Sequence, residues 1–149
     1  MLDEVERTHT SIIITWHRTD HPDHQPVNKF MHDLLAGPEL FGCPDLVWVA
    51  LLRLCTHLRI FVVPSPLEDL ENFRTSVTRQ RNYVPVVSRV GHFDVVHRLC
   101  RTHRAGGNLV NDAYLAAFSV DQSMTVVSLD HDFARFSAAS WIDPSTSSS

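Results

Sequence analysis

Two separated acidic positions constrain this chain more than any other feature of its sequence. Asp112 precedes an Ala- and Leu-rich run at 113–117, whose composition favours a helix. Asp130 follows the apolar run at 125–129, which is typical of a strand. Ligands of open α/β sheets collect at the carboxyl ends of strands, and carboxylate oxygens suit hard cations such as Mg²⁺ or Mn²⁺. Together the two residues predict a divalent-metal site at one edge of a sheet.

Composition limits the class of protein without deciding its function. A chain of 149 residues fits one domain, and 44% hydrophobic and 20% charged residues are ordinary for a soluble protein. The net charge of −4 argues against a strongly basic nucleic-acid platform, but bound metal and local Arg clusters leave a nuclease open. Three widely spaced cysteines, the absence of a long apolar run and a charged start predict a soluble cytoplasmic protein.

Hydrophobic periodicity predicts strands separated by helices. The β-branched run Ile12–Ile14 predicts a short strand. His92, His97 and His103 lie off the apolar stripe of their helix, so we expect them at the surface. Alternating strands and helices favour a mainly parallel sheet covered on both faces. The predicted helices span about 22–36, 45–56, 66–78, 92–104 and 112–120, and the further strands span 83–87, 125–129 and 141–142.

The segment His17–His24 holds three histidines and two aspartates in eight residues. One interpretation is a transition-metal site. The other is a solvated helix start, with Asp20 as the cap and Pro22 in the first turn. We favour the helix start.

Arg53 and Thr56 lie three residues apart on one face of a predicted helix. In one interpretation, Arg53 pairs with a surface carboxylate and Thr56 ends the helix. In the other, both side chains contact a phosphate backbone, since a guanidinium offers planar donors. Residue chemistry alone favours the first interpretation.

Several short motifs then occur in a recognisable order along residues 16–143. They are found at 36–39, 44–47, 52–56, 59–61, 98–101, 107–113, 115–117 and 130–136. The sequence resembles the PIN-domain toxins of VapBC toxin–antitoxin systems, in the branch common in mycobacteria. The resemblance implies a three-layer α/β/α domain with a mainly parallel central sheet, over residues 1–143, followed by a disordered tail at 144–149. It also implies a Mg²⁺- or Mn²⁺-dependent endoribonuclease that forms homodimers and is inhibited by a small VapB antitoxin.

The same resemblance implies roles for individual residues. Asp112 matches the family's metal-binding Asp at the start of a helix. Asp130 matches the acidic position after the following strand, and Asp132 is a nearby candidate ligand. Arg53 and Thr56 match an Arg-x-x-Thr pattern, which places contact with RNA on an equal footing with the surface interpretation.

The sequence departs from the family at two acidic positions. Counting back from 17–22 places the family's first Asp at His9, within an atypical start formed by residues 1–11. If Ile12–Ile14 is the first strand instead, its end offers only 15–17, which again lacks a carboxylate. The Glu of the central helix is also missing, since 49–52 is Val-Ala-Leu-Leu. These departures leave two alternatives to an active nuclease: a weakened PIN domain that binds antitoxin or RNA, and an unrelated α/β or His-rich metal protein.

Overall fold

The computed structural model describes residues 12–146. The atypical start at 1–11, with His9, and the last tail residues, 147–149, lie outside the described residues. The described chain forms two compact units, residues 12–87 and 88–146. The boundary between a PIN domain ending at 143 and a tail stays a prediction.

The first unit is built from helices around an apolar core. Its helices are α1 (Ile12–His17), α2 (His24–Ala36), α3 (Asp45–Cys55) and α4 (Leu67–Thr78). α1 packs against both α2 and α3, and α3 packs against α4. The buried core is contributed mainly by α1, α3 and α4, through Ile13, Ile14, Trp48, Leu51, Leu54, Cys55, Leu70 and Val77.

The prediction of a strand at Ile12–Ile14 is wrong, because these residues form the first turn of α1. Four consecutive side chains, Ile12 to Thr15, are buried there. Burial on every side of a short helix outweighs the β-propensity of isoleucine, which amounts to roughly 1 kcal/mol at most.

The predicted helix is confirmed, but it starts later than expected: Asp20 is not its cap, and Pro22 lies before its first turn. The helix begins at His24, and Asp23 precedes it without a side-chain capping bond. Asp20 instead accepts two hydrogen bonds from Arg18, at 2.9 and 2.6 Å. Asp20 lies four residues before His24, too far away to cap the helix, and its carboxylate forms a bidentate ion pair with the Arg18 guanidinium.

The predicted strand at 83–87 is reduced to isolated parallel bridges. Tyr83 pairs with Phe41, and Val86 pairs with Pro44. Pro85 lies between the two bridges and has no N–H to donate to a ladder, which limits the regular pairing there.

The second unit combines a helical hairpin with a small parallel sheet. Its elements are α5 (His92–His103), α6 (Leu109–Gln122), β1 (Thr125–Val127), a 3₁₀ helix (His131–Arg135) and β2 (Ser140–Ile142). β1 pairs with β2 in parallel, with Val126 opposite Trp141. The core lies between α5, α6 and the segment after β1, and it contains Val96, Leu99, Ala113, Ala116, Ala117, Phe133 and Phe136.

His92 was expected at the surface, and that prediction is wrong. Its ring is 2% exposed and lies against Phe118, with 4.2 Å between ring centroids. Nδ1 lies 2.8 Å from Asp121 Oδ2, and Nε2 lies 3.1 Å from the carbonyl oxygen of Tyr114. A histidine is buried readily when both ring nitrogens have hydrogen-bond partners. The pattern of apolar residues along the helix does not reveal such partners.

The α/β class with parallel strand pairing is confirmed. Within residues 12–146, every helix falls short of the length or the apolar character that a membrane span requires.

Candidate metal centre

The α5–α6 hairpin fixes the position of Asp112. Residues 104–108 join the two helices, so the C-terminal end of α5 and the N-terminal end of α6 are close neighbours. Ala113, Ala116 and Ala117 are fully buried against α5, and such small side chains let two helices pack closely. Asp112 lies in the first turn of α6 and is only 4% exposed. The helical packing therefore holds this carboxylate in a mostly dry position.

Asp130 is oriented by hydrogen bonds of the turn after β1. Its backbone N–H donates to Ser128 Oγ at 3.0 Å. Its Oδ1 accepts from the backbone N–H of Asp132 at 2.9 Å and caps the 3₁₀ helix. The indole of Trp141 donates to the carbonyl oxygen of Ser128 at 2.9 Å and ties this turn to β2. Asp130 and Asp132 are consequently presented by one ordered turn.

The structure brings the carboxylates of Asp112, Asp130 and Asp132 together. Each offers an oxygen, and these oxygens all lie within 4.8 Å of one another. Burial raises the pKa of Asp112 to about 8, with further contributions from the negative charges of Asp130 and Asp132. Three anions so close together repel one another unless a proton or a cation is present.

The donor set fits a hard divalent cation. Mg²⁺ takes oxygen ligands at about 2.0–2.1 Å, which places neighbouring and opposite ligand atoms roughly 3–4 Å apart. The observed grouping within 4.8 Å is close to that spacing. Oδ2 of Asp112 is buried and has no hydrogen-bond partner among the described residues, which leaves a lone pair for a cation. All three ligands are oxygens, which favours Mg²⁺ or Mn²⁺ over Zn²⁺.

The histidine-rich segment does not form a second centre. Among the described residues, the three aspartates are the one group of His, Cys, Asp or Glu close enough to hold an ion. His17 lies 3.1 Å from Ser65 Oγ, and His24 lies 3.0 Å from the Thr15 carbonyl oxygen. His21 accepts from the backbone N–H of Asp23. These rings serve local structure.

Arg53 and Thr56 belong to the first unit, at the end of α3, and both are exposed. The Thr56 hydroxyl donates to the Leu52 carbonyl oxygen at 2.6 Å, so its proton already completes the helix end. The Arg53 side chain makes no ion pair within the described ranges. The predicted pairing of Arg53 with a surface carboxylate is therefore not observed among the described residues. Contact of Arg53 and Thr56 with RNA stays a prediction.

Comparison with known proteins identifies the family to which the chain belongs. The PIN domain profile matches residues 9–139. Ribonuclease VapC31 and Ribonuclease VapC25 of Mycobacterium tuberculosis are each 40% identical over 134 residues, covering 90% of this chain and 94% of the relative. The chain belongs to the VapC family of PIN-domain proteins. Ribonuclease VapC37 of the same species is 32% identical over 121 residues, covering 81% of this chain and 84% of the relative. The alternative of an unrelated α/β or His-rich metal protein is thus wrong.

One feature of this VapC-family site was not anticipated. Ser128 falls within the apolar run at 125–129, yet its hydroxyl oxygen accepts a hydrogen bond from the backbone N–H of Asp130. A serine two residues before an aspartate is a local signal for such a turn. The family's first acid has no counterpart within 12–17, because that segment is α1 and contains no Asp or Glu.

Proposed function

We propose that this protein is a VapC-type toxin, an endoribonuclease that cleaves RNA phosphodiester bonds with Mg²⁺ or Mn²⁺ held by Asp112, Asp130 and Asp132. The observation that carries the proposal is the grouping of three carboxylate oxygens within 4.8 Å, one of them on a buried side chain. The names of the relatives, Ribonuclease VapC31 and Ribonuclease VapC25, support the same activity.

The chemistry divides between the ion and the chain. A bound divalent cation supplies a polarised phosphoryl oxygen and a bound water of lowered pKa. Asp112, Asp130 and Asp132 bind that ion, and the hydrogen bonds around Ser128 keep Asp130 in place. Arg53 provides planar donors for a phosphate. For Thr56 to donate to RNA, its hydroxyl must leave the Leu52 carbonyl oxygen.

The remaining parts of the proposal concern partners and location. We infer a VapB-type antitoxin that inhibits the nuclease, a homodimer, and a cytoplasmic protein with no membrane partner. These follow from membership of the VapC family and from the cellular location of RNA.

A cleavage assay on labelled single-stranded RNA tests the activity. Protein stripped of metal with a chelator should be inactive, and added Mg²⁺ or Mn²⁺ should restore cleavage. Asp112→Asn should slow cleavage by at least about 100-fold, which corresponds to roughly 2.7 kcal/mol of lost transition-state stabilisation. Calorimetric titration with Mn²⁺ should show the same variant losing the ion.

Asp94→Asn is the matched control, because Asp94 also lies in the first turn of a helix but is exposed. It should leave cleavage and Mn²⁺ binding unchanged. Wild-type cleavage that persists in excess chelator would contradict the proposed metal dependence.

The second candidate is a weakened PIN domain that binds an antitoxin or RNA without efficient cleavage. The absence of a carboxylate in α1 favours it, since a fourth acid would strengthen the hold on the ion. It predicts RNA binding without metal-dependent cleavage, and no effect of Asp112→Asn on that binding.

A further inference from the structure

The C-terminal half of α5 and its cap carry three arginines. Arg98, Arg101 and Arg104 are all exposed. In the part of the chain that the structure describes, none of the three side chains forms an ion pair or a hydrogen bond. We call these three residues the α5 arginine strip. The chain as a whole has a net charge of −4, so this positive surface is local.

Helix stability alone does not account for the strip. Cations near a helix C-terminus stabilise the helix dipole, but the effect fades beyond the last turn. Arg101 lies in that turn, whereas Arg98 lies before it. Arg104 is the C-cap in the left-handed region, with φ 51°, where glycine is the usual residue. The backbone therefore carries a steric cost at Arg104, and within the described residues its side chain makes no hydrogen bond or ion pair that offsets this cost.

The strip lies at the same end of the helical hairpin as the carboxylate centre. Only residues 104–108 separate α5 from α6, and Asp112 lies in the first turn of α6. The same end of α5 reaches the 3₁₀ segment, since the ring of His103 lies 5.5 Å from that of Phe136. The end of α5 that carries Arg101 and Arg104 is therefore at the end of the hairpin that carries Asp112.

We propose that Arg98, Arg101 and Arg104 bind the phosphate backbone of single-stranded RNA and guide it to the adjacent carboxylate centre. This inference rests on the proposed nuclease function and assigns a substrate-binding surface to it. Guanidinium groups suit the role because they stay charged at all relevant pH values and present planar donors to phosphate oxygens. Backbone contacts of this kind give affinity without sequence preference.

The test is RNA binding as a function of salt, measured by fluorescence anisotropy with a labelled mixed-sequence 20-nucleotide RNA in the presence of EDTA. Chelation prevents metal-dependent cleavage, so binding is measured separately from the proposed reaction. Each phosphate contact to single-stranded RNA contributes about 0.7 to the slope of log K against log salt. The triple variant R98Q/R101Q/R104Q should therefore lower the slope by about 2 and weaken binding about tenfold or more at low salt.

The matched control is R59Q/R79Q/R89Q, which removes the same charge from three exposed arginines elsewhere. It should leave the slope within experimental error of wild type. If the slope fell equally in both triple variants, the effect would reflect net charge alone. That result would overturn the proposed role of the α5 arginine strip. A polyglutamate peptide of matching charge should compete poorly; equal competition would make the strip a site for acidic protein segments instead.

Arg104→Gly separates binding from stability. Glycine relieves the left-handed strain, so the melting temperature should stay constant or rise while the salt slope falls by about 0.7. A wild-type slope in this variant and in the triple variant would overturn the proposal. If RNA binds through the strip but is not cleaved in a metal-dependent way, only the proposed nuclease activity is refuted. If RNA is cleaved but the variants keep the wild-type slope, only the proposed role of the strip is refuted.

Discussion

At the scale of single residues, Asp112 is held in an environment that opposes its charge. Burial and the neighbouring acids raise its pKa to about 8, against 3.8 for an ordinary aspartate. In metal-free protein the folded state therefore binds this proton more tightly than the unfolded state does. Its contribution to the free energy of unfolding is favourable at low pH and is lost as pH rises from about 4 to 8.

Replacing Asp112 with Asn should consequently stabilise the metal-free protein. Above pH 7 the gain should be roughly 1–3 kcal/mol, the scale of an uncompensated buried polar group. Urea unfolding in EDTA at pH 5 and pH 8 measures it, and the gain should be larger at pH 8. Destabilisation of the variant at pH 8 would mean that the three carboxylates do not repel one another as the geometry indicates.

At the scale of helices and strands, the sequence predicted elements whose apolar pattern is local and strong. α3, α6 and the strand at 141–142 have such patterns, and the acids at 112 and 130 were placed correctly at a helix start and after a strand. Ile12–Ile14 could not be assigned, because its helical state depends on burial against α2 and α3. His92 was misplaced for a similar reason: its partner Asp121 is 29 residues away, on another helix.

Gly42 shows how close two extended segments come in the first unit. A Cβ added there would overlap the carbonyl oxygen of Val84 and would approach Val86 Cγ2 to 2.5 Å. A backbone atom cannot rotate aside, so Gly42→Ala should lower the free energy of unfolding by about 3 kcal/mol, the upper end of the usual overpacking range. Gly106→Ala is the control, because an added Cβ meets nothing within 4 Å there. Urea denaturation of both variants measures the difference, and equal stability would mean that the segments separate at little cost.

At the scale of the whole molecule, metal binding should couple to folding and to pH. An ion that binds only the folded chain raises its stability, by about 2.7 kcal/mol at 100 times the dissociation constant. Binding must also displace the proton of Asp112, whose pKa is about 8. Well below pH 8 each pH unit costs about 1.4 kcal/mol, and because Asp112 is already half protonated at pH 8, Mn²⁺ affinity should fall roughly 50-fold from pH 8 to pH 6. Thermal melts with and without Mn²⁺ at both pH values measure this change. Asp112→Asn should abolish the Mn²⁺-dependent shift, whereas a wild-type shift that is the same at pH 6 and pH 8 would show that Asp112 does not bind the ion.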